Sequence, residues 1–147
     1  MIVLDAAEME ALGEKIGRQL RGSEIIELIG DVGTGKTTLT HGIAKGLDIK
    51  DDIQSPSFTI SRNYGARDNL TLNHYDFYRL NDAGIMNLEI AESSSDPNNI
   101  TIIEWGESIR SAIPAEHIKI TINYLPDKGR DINFQIPQKY HYILNKK

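Results

Sequence analysis

Residues 25–37 constrain this chain more than any other stretch. Ile25-Ile26-Glu27-Leu28-Ile29 is a short, mostly apolar, β-branched run, the pattern of a buried strand. It leads without a break into Gly30-Asp31-Val32-Gly33-Thr34-Gly35-Lys36-Thr37. A helical pattern follows, with Leu39, Ile43 and Leu47 recurring every four residues. Strand, glycine loop, helix is the context in which a G-x-x-x-x-G-K-[ST] pattern has a physical meaning, and Gly30, Gly35, Lys36 and Thr37 satisfy that pattern. Glycines let successive backbone N–H groups turn inward around an anion without Cβ clashes. The helix N-terminus adds unsatisfied N–H groups and a partial positive charge. Lys36 is placed to reach the β- and γ-phosphates and the Thr37 hydroxyl to ligate Mg²⁺, so the expected ligand is a nucleoside triphosphate. The competing reading is a glycine-rich structural turn.

Composition narrows the rest. A chain of 147 residues is the size of one domain with one core, and 39% hydrophobic with 25% charged residues is ordinary globular composition. No apolar run approaches the roughly 20 residues a membrane helix needs. Met1 to Glu10 shows no basic region followed by an apolar stretch, so no secretory leader is expected and the expected location is cytoplasmic. The absence of Cys excludes disulfides, thiolate zinc sites and cysteine nucleophiles. The 16 Lys+Arg against 21 Asp+Glu, net −5, argue against a free-standing binder of DNA or RNA. His41, His74, His117 and His141 are far apart in sequence, with no HExxH pattern.

The pass along the chain gives one domain over 1–147, with about 138–147 as a solvated tail containing Lys139, Lys146 and Lys147. Residues 5–21 read as an amphipathic helix with Met9, Leu12, Ile16 and Leu20 in one stripe, Asp5 and Glu8 as a capping pair, and Gly22 as the stop. Strands are expected near Ser57–Tyr64, Leu70–Asp76, Ile100–Trp105, Ile118–Tyr124 and 132–136, the last two joined by the Asp127-Lys128-Gly129 turn. Helices are expected within 82–93 and 107–112. Alternating helix and strand followed by a terminal hairpin predicts an α/β fold of the P-loop NTPase-like type. The layers form a three-layer sandwich whose mixed sheet has a parallel centre and antiparallel edges.

A phosphate loop needs an acidic group to hold Mg²⁺, usually at the end of an apolar strand. Glu104, after Ile100, Ile102 and Ile103, matches that description better than Asp76, which lies in His74-Tyr75-Asp76-Phe77-Tyr78-Arg79. Asp76 is then left to orient the attacking water or to support the metal from behind its ligands. Either could instead be a surface or capping carboxylate. Trp105, beside Glu104, could wall off the site, although tryptophan more often belongs to a core. Ser55-Pro56-Ser57-Phe58-Thr59 lies where nucleotide switches place a γ-phosphate sensor; a proline-initiated turn explains it equally well. No N/T-K-x-D or D-x-x-G pattern is present, so ATP is favoured over GTP. A small-molecule phosphotransferase is the second reading, weakened by the scattered arginines, and a catalytically silent binding module is the third.

GDVGTGKTT, SPSFT, HYDFYRL and IEWGE, in this order, resemble the TsaE (YjeE-type) family of small bacterial ATPases over residues 5 to about 135. The resemblance implies a component of the machinery that makes threonylcarbamoyladenosine on tRNA. It implies a subunit that binds ATP and Mg²⁺, associates with TsaB and TsaD, and reaches tRNA only through them. Slow ATP hydrolysis would support turnover of the transferase. Carried over by motif, Gly33, Thr34, Gly35, Lys36, Thr37 and Thr38 match the phosphate-binding stretch. Thr37 and Glu104 match the Mg²⁺ ligands, and Asp76 the family's essential acidic residue; Asp76 and Lys36 are the catalytic candidates. Ser55, Pro56 and Thr59 match the switch-like segment, and Gly129-Arg130 with residues around Ala6 to Glu8 a region near the adenine. Departures are Tyr75 and Phe77 within the HFDLYRL-type motif, Ser57 for a central threonine, Gly106 for a proline, and the divergent segment between Arg79 and Ile100.

Overall fold

The computed structural model describes residues 1–53, 61–78 and 84–144. Its centre is a seven-stranded sheet. The strands are β1 (Ile2–Val3), β2 (Ile25–Ile29), β3 (Ser61–Gly65), β4 (Thr71–Asp76), β5 (Asn99–Glu104), β6 (Ile118–Tyr124) and β7 (Arg130–Gln135), in the spatial order β1-β7-β6-β2-β5-β4-β3. β6, β2, β5 and β4 run parallel, whereas β7, β1 and β3 are antiparallel to their neighbours. The expected parallel centre with antiparallel edges is what forms. The strand that leads into the glycine loop, β2, is central, between β5 and β6, which is why Ile25, Ile26 and Leu28 are all buried and no polar alternation shows in its sequence.

Side chains alternate across the strands and divide the interior in two. Ile26, Leu28, Leu72, Ile102 and Ile120 face helices α1 (Ala6–Gln19) and α2 (Lys36–Gly46). Ile25, Tyr75 and Ile103 face the opposite side, against Ile90 of α3 (Gly84–Ser95) and Ile109 of a 3-10 segment, Gly106–Ala112.

α1 starts where the sequence places it. Asp5 is extended and its Oδ1 accepts the Glu8 N–H at 2.8 Å, while Glu8 reaches back to the Leu4 N–H at 2.8 Å. The helix ends at Gln19, and Gly22 follows with φ +110°. α1 and α2 touch backbone to backbone. A Cβ at Gly13 would lie 2.3 Å from the Leu39 carbonyl oxygen, and one at Gly42 would lie 2.1 Å from that of Glu10. Gly17 and Gly46 repeat this contact one turn further along, at 2.2 Å from Ile43 O and 2.3 Å from Glu14 O. The two Gly-x-x-x-Gly pairs therefore set a close crossing that the apolar stripe alone does not specify.

Three features differ from the sequence reading. β1, a two-residue edge strand, was not expected. It pairs with β7 through Ile2↔Asp131 and Val3↔Arg130, a long-range pairing that no local pattern announces. The expected strand over Ser57–Tyr64 is described only from Ser61, because 54–60 lie outside the described residues. The expected tail is packed over residues 138–144. This segment winds into a 3-10 turn that buries Tyr140 and Ile143, and Lys139 pairs with Glu116 at 3.5 Å. Arg21 stacks on the Tyr142 ring at 4.1 Å and the Tyr140 hydroxyl donates to Ser23 O at 3.3 Å, which adds polar contacts to the two apolar anchors.

Candidate functional site

The glycine loop connects the carboxyl end of β2 to the first turn of α2, beside the ends of β4 and β5. Gly33 and Gly35 have φ of +80° and +112°, conformations that glycine adopts without Cβ strain. Thr34 is buried: its hydroxyl donates to Asp31 O at 2.8 Å and its N–H to the same oxygen at 3.2 Å, closing the loop's own turn. Lys36 opens α2, and Thr37 and Thr38 occupy the rest of that first turn.

The Lys36 ammonium lies across the loop. It donates to the Gly30 carbonyl and sits 4.1 Å from the centre of the Trp105 ring. Burial pushes its pKa below the ordinary lysine value, against the pull of Glu104 and Asp76. Those two carboxylates are register partners at the ends of β4 and β5 (Asp76↔Glu104), with Leu28 of β2 on the other side of Glu104. The parallel pairing brings the three expected residues, Lys36, Asp76 and Glu104, to one end of the sheet. Asp76 accepts the Tyr78 N–H at 3.0 Å. Its pKa is raised, first by burial and then by the neighbouring Glu104 charge.

Glu104 is buried, and its Oε2 lies 2.5 Å from His74 Nε2, with His74 fully enclosed. The sequence reading gave His74 no role. The available sign was its position two residues before Asp76, hence on the same strand face. Trp105 has φ +57°, which turns its indole over Lys36, and Tyr78 packs on it with ring centres 4.8 Å apart. Gly106 follows directly. A Cβ there would lie 3.1 Å from Ile103 and 3.2 Å from the Glu27 carboxylate, so the chain turns tightly against the sheet.

The donor chemistry suits a hard divalent cation with phosphate. Hydroxyl and carboxylate oxygens of Thr37, Glu104 and Asp76 are the available groups, and two adjacent carboxylates leave negative charge that one lysine does not balance. A cleft on the outer side of the loop is lined by Asp5, Ala6, Met9, Thr38, Lys128 and Arg130, so both regions expected near a nucleotide base meet there. Arg130, however, turns its donors to the loop: Nε bonds the Thr34 carbonyl at 3.1 Å and Nη1 the Lys128 carbonyl at 2.7 Å. Ser55 and Thr59 lie outside the described residues.

A second polar cluster, unforeseen in the sequence, sits behind the loop strand. Glu27 of β2 is buried and accepts from His117 Nε2 at 2.9 Å and from Arg110 at 3.0 Å. Burial opposes its ionisation, but these two partners outweigh burial and hold its pKa below the ordinary glutamate value. Partners separated by 83 and 90 residues in sequence leave no local signature.

The chain is similar to proteins of a known family over most of its length. Residues 3–132 match the family described as Threonylcarbamoyl adenosine biosynthesis protein TsaE. A protein of Treponema pallidum named tRNA threonylcarbamoyladenosine biosynthesis protein TsaE is 35% identical over 120 residues, 82% of this chain and 87% of that one. Its namesake in Nostoc is 38% identical over 122 residues, covering 81% and 74%. Among solved structures, that of Bacillus subtilis YdiB superposes with a TM-score of 0.80 at 27% identity, over 98% of this chain and 89% of the other. With a strand–loop–helix of this kind, a lysine and two carboxylates at one sheet end, and similarity over most of its length, the chain belongs to the TsaE family.

Proposed function

We propose that this chain binds ATP with Mg²⁺ at the glycine loop and hydrolyses it to ADP and phosphate. In this reading it works as the nucleotide-driven subunit of a tRNA threonylcarbamoyladenosine assembly with TsaB- and TsaD-like partners. The observation that carries the reading is the meeting of Lys36, Asp76 and Glu104 at the mouth of the loop. The loop amides and the α2 N-terminus hold the phosphates. Lys36 exchanges the Gly30 carbonyl and the Trp105 face for phosphate oxygens, and its charge offsets the charge that builds as the terminal phosphoryl group leaves. Thr37 and Glu104 are the residues to hold Mg²⁺, which supplies further charge neutralisation when bound, and His74 keeps the Glu104 carboxylate oriented. Asp76 accepts a hydrogen bond from the attacking water and aims it in line; its raised pKa makes its Oδ atoms a fitting place for that water's proton.

The acidic balance of the chain suits a subunit that meets tRNA through partners. Among the described residues no helix is long and apolar enough to cross a membrane. The test is phosphate release from ATP with and without a TsaB–TsaD pair. Turnover is expected to be slow alone and faster with the pair, and Lys36→Ala and Asp76→Ala should each lower it by about a hundredfold or more while the fold survives. Wild-type turnover by both variants would sink the proposal.

A further inference from the structure

The β6–β7 hairpin does more than close the sheet. Tyr124, the last residue of β6, and Arg130, the first of β7, are register partners, and the Arg130 guanidinium lies 4.5 Å from the centre of the Tyr124 ring. Both side chains end on carbonyl oxygens of the glycine loop. The Tyr124 hydroxyl donates to Val32 O at 2.5 Å, and Arg130 donates from Nε to Thr34 O at 3.1 Å and from Nη2 to Gly33 O at 3.5 Å. Arg130 Nη1 is occupied by the hairpin's own Lys128 and Gly129 carbonyls. The guanidinium is therefore held by the hairpin through Nη1 while Nε and Nη2 grip the loop. Contact is close enough that a Cβ at Gly33 would lie 2.8 Å from the Tyr124 hydroxyl.

A trans peptide is planar, and its C=O and N–H point opposite ways. Fixing the Val32 carbonyl toward the hairpin aims the Gly33 N–H away from it. Fixing the Thr34 carbonyl likewise aims the Gly35 N–H. An anion-binding loop needs its amides turned to a common side before the ligand arrives. Each carbonyl that lacks a partner on the outer side is free to rotate inward, where it would repel phosphate. Five-donor, forked arginine suits this task because it can hold two successive loop carbonyls while staying anchored at its other end.

We propose that Tyr124 and Arg130 are positioning residues for anion binding: they hold the Val32 and Thr34 carbonyls outward so that the Gly33 and Gly35 amides are set for phosphate. This rests on the nucleotide reading above and changes what Arg130 is for. Its guanidinium acts through the loop's peptides rather than by touching a base.

The experiment measures dissociation constants for ATP and for inorganic tripolyphosphate, which has no base, by calorimetry on wild type, Tyr124→Phe, Arg130→Gln and Arg130→Lys. Loss of one charged or neutral brace should weaken both ligands by the same factor, about fivefold for Tyr124→Phe and about thirtyfold for Arg130→Gln. Arg130→Lys should resemble the glutamine variant, because it keeps the charge and loses the fork. Melting curves without ligand establish that each variant is folded; Tyr124→Phe, which keeps the ring against Arg130, is the safer of the two sites. Weakened ATP with unchanged tripolyphosphate would make Arg130 a base contact and overturn the proposal. So would wild-type affinity in Tyr124→Phe and Arg130→Gln, or full tripolyphosphate affinity in Arg130→Lys. If wild type binds neither ligand, the nucleotide reading fails first and the brace falls with it.

Discussion

The face of the sheet under α1 and α2 and the face under α3 are built from the same strands by opposite means. On the first, two helices meet through glycine backbones and cover strands from β7 to β4 with one continuous apolar cluster. On the second, a shorter cluster of Ile25, Tyr75, Phe77, Ile90, Ile103, Ile109 and Ile113 covers the β2–β5–β4 region only. There the inward face of β6 gives way to half-exposed Lys119 and Thr121, and the central strand carries Glu27 with His117 and Arg110. Apart from the His74–Glu104 pair at its site end, the first face draws its stability from shape, the second in part from a buried charge network. Shape tolerates no added atoms; a charge network is vulnerable to loss of its buried member and depends on pH.

That contrast can be broken most severely at the glycines. Gly42→Ala adds a Cβ 2.1 Å from the Glu10 carbonyl oxygen, with backbone on both sides and no side chain to move aside. Alanine gains about 1 kcal/mol in helix propensity, but overpacking costs about 3, so a net loss of about 2 kcal/mol is expected. Adding Gly13→Ala, whose Cβ would lie 2.9 Å from the Gly42 Cα, should deepen it. Urea titration measures the loss. A stability equal to or above wild type would show that the helices do not depend on contact at this distance.

On the other face, Glu27→Ala leaves His117 and Arg110 without their acceptor and should cost up to about 3 kcal/mol. Arg110→Ala should cost no more than about 1 kcal/mol, since that side chain is 52% exposed.

pH separates two buried carboxylates only three residues apart. The folded-state pKa of Glu27 lies below the ordinary glutamate value of 4.5, so its contribution is complete above that value and fades as pH falls through the lower folded one. Glu24 is the reverse. Burial raises its pKa despite the N–H groups of Arg21 and Gly22 and the Tyr142 hydroxyl, so stability falls as pH rises from 4.5 through the raised value. Glu27→Gln should therefore flatten the acid side of the stability curve and Glu24→Gln the segment above it. Denaturation midpoints across a pH series test both signs. The smallest effect is expected at Leu88 of α3, 71% exposed, where Leu88→Ser should change stability by less than about 0.5 kcal/mol.

How much of this was legible in the sequence follows the same division. The loop, β2 and β6 were readable to the residue, because glycine spacing and β-branched runs are local signals. Asp76 and Glu104 were readable as strand-end carboxylates, and their adjacency follows from parallel pairing of β4 and β5. The Gly-x-x-x-Gly pairs of α1 and α2 were present in the sequence but became meaningful only when two helices could be laid against each other. Nothing local marks β1, the docking of Tyr140 and Ile143, or the pairing of Glu27 with His117. Each depends on a partner brought close only by the finished chain trace.

The glycine contact between α1 and α2 has a consequence for the cleft beside the loop. One wall of that cleft is the start of α1 and its approach, from Leu4 to Met9; another is the start of α2, Gly35 and Thr38. Since the two helices are spaced by main chain at Gly13, Gly17, Gly42 and Gly46, the separation of their axes is set by backbone, and the side chain that stands between the two walls is Met9, against Gly35. The width of the cleft is therefore adjusted by one unbranched side chain while the helices that frame it stay in place.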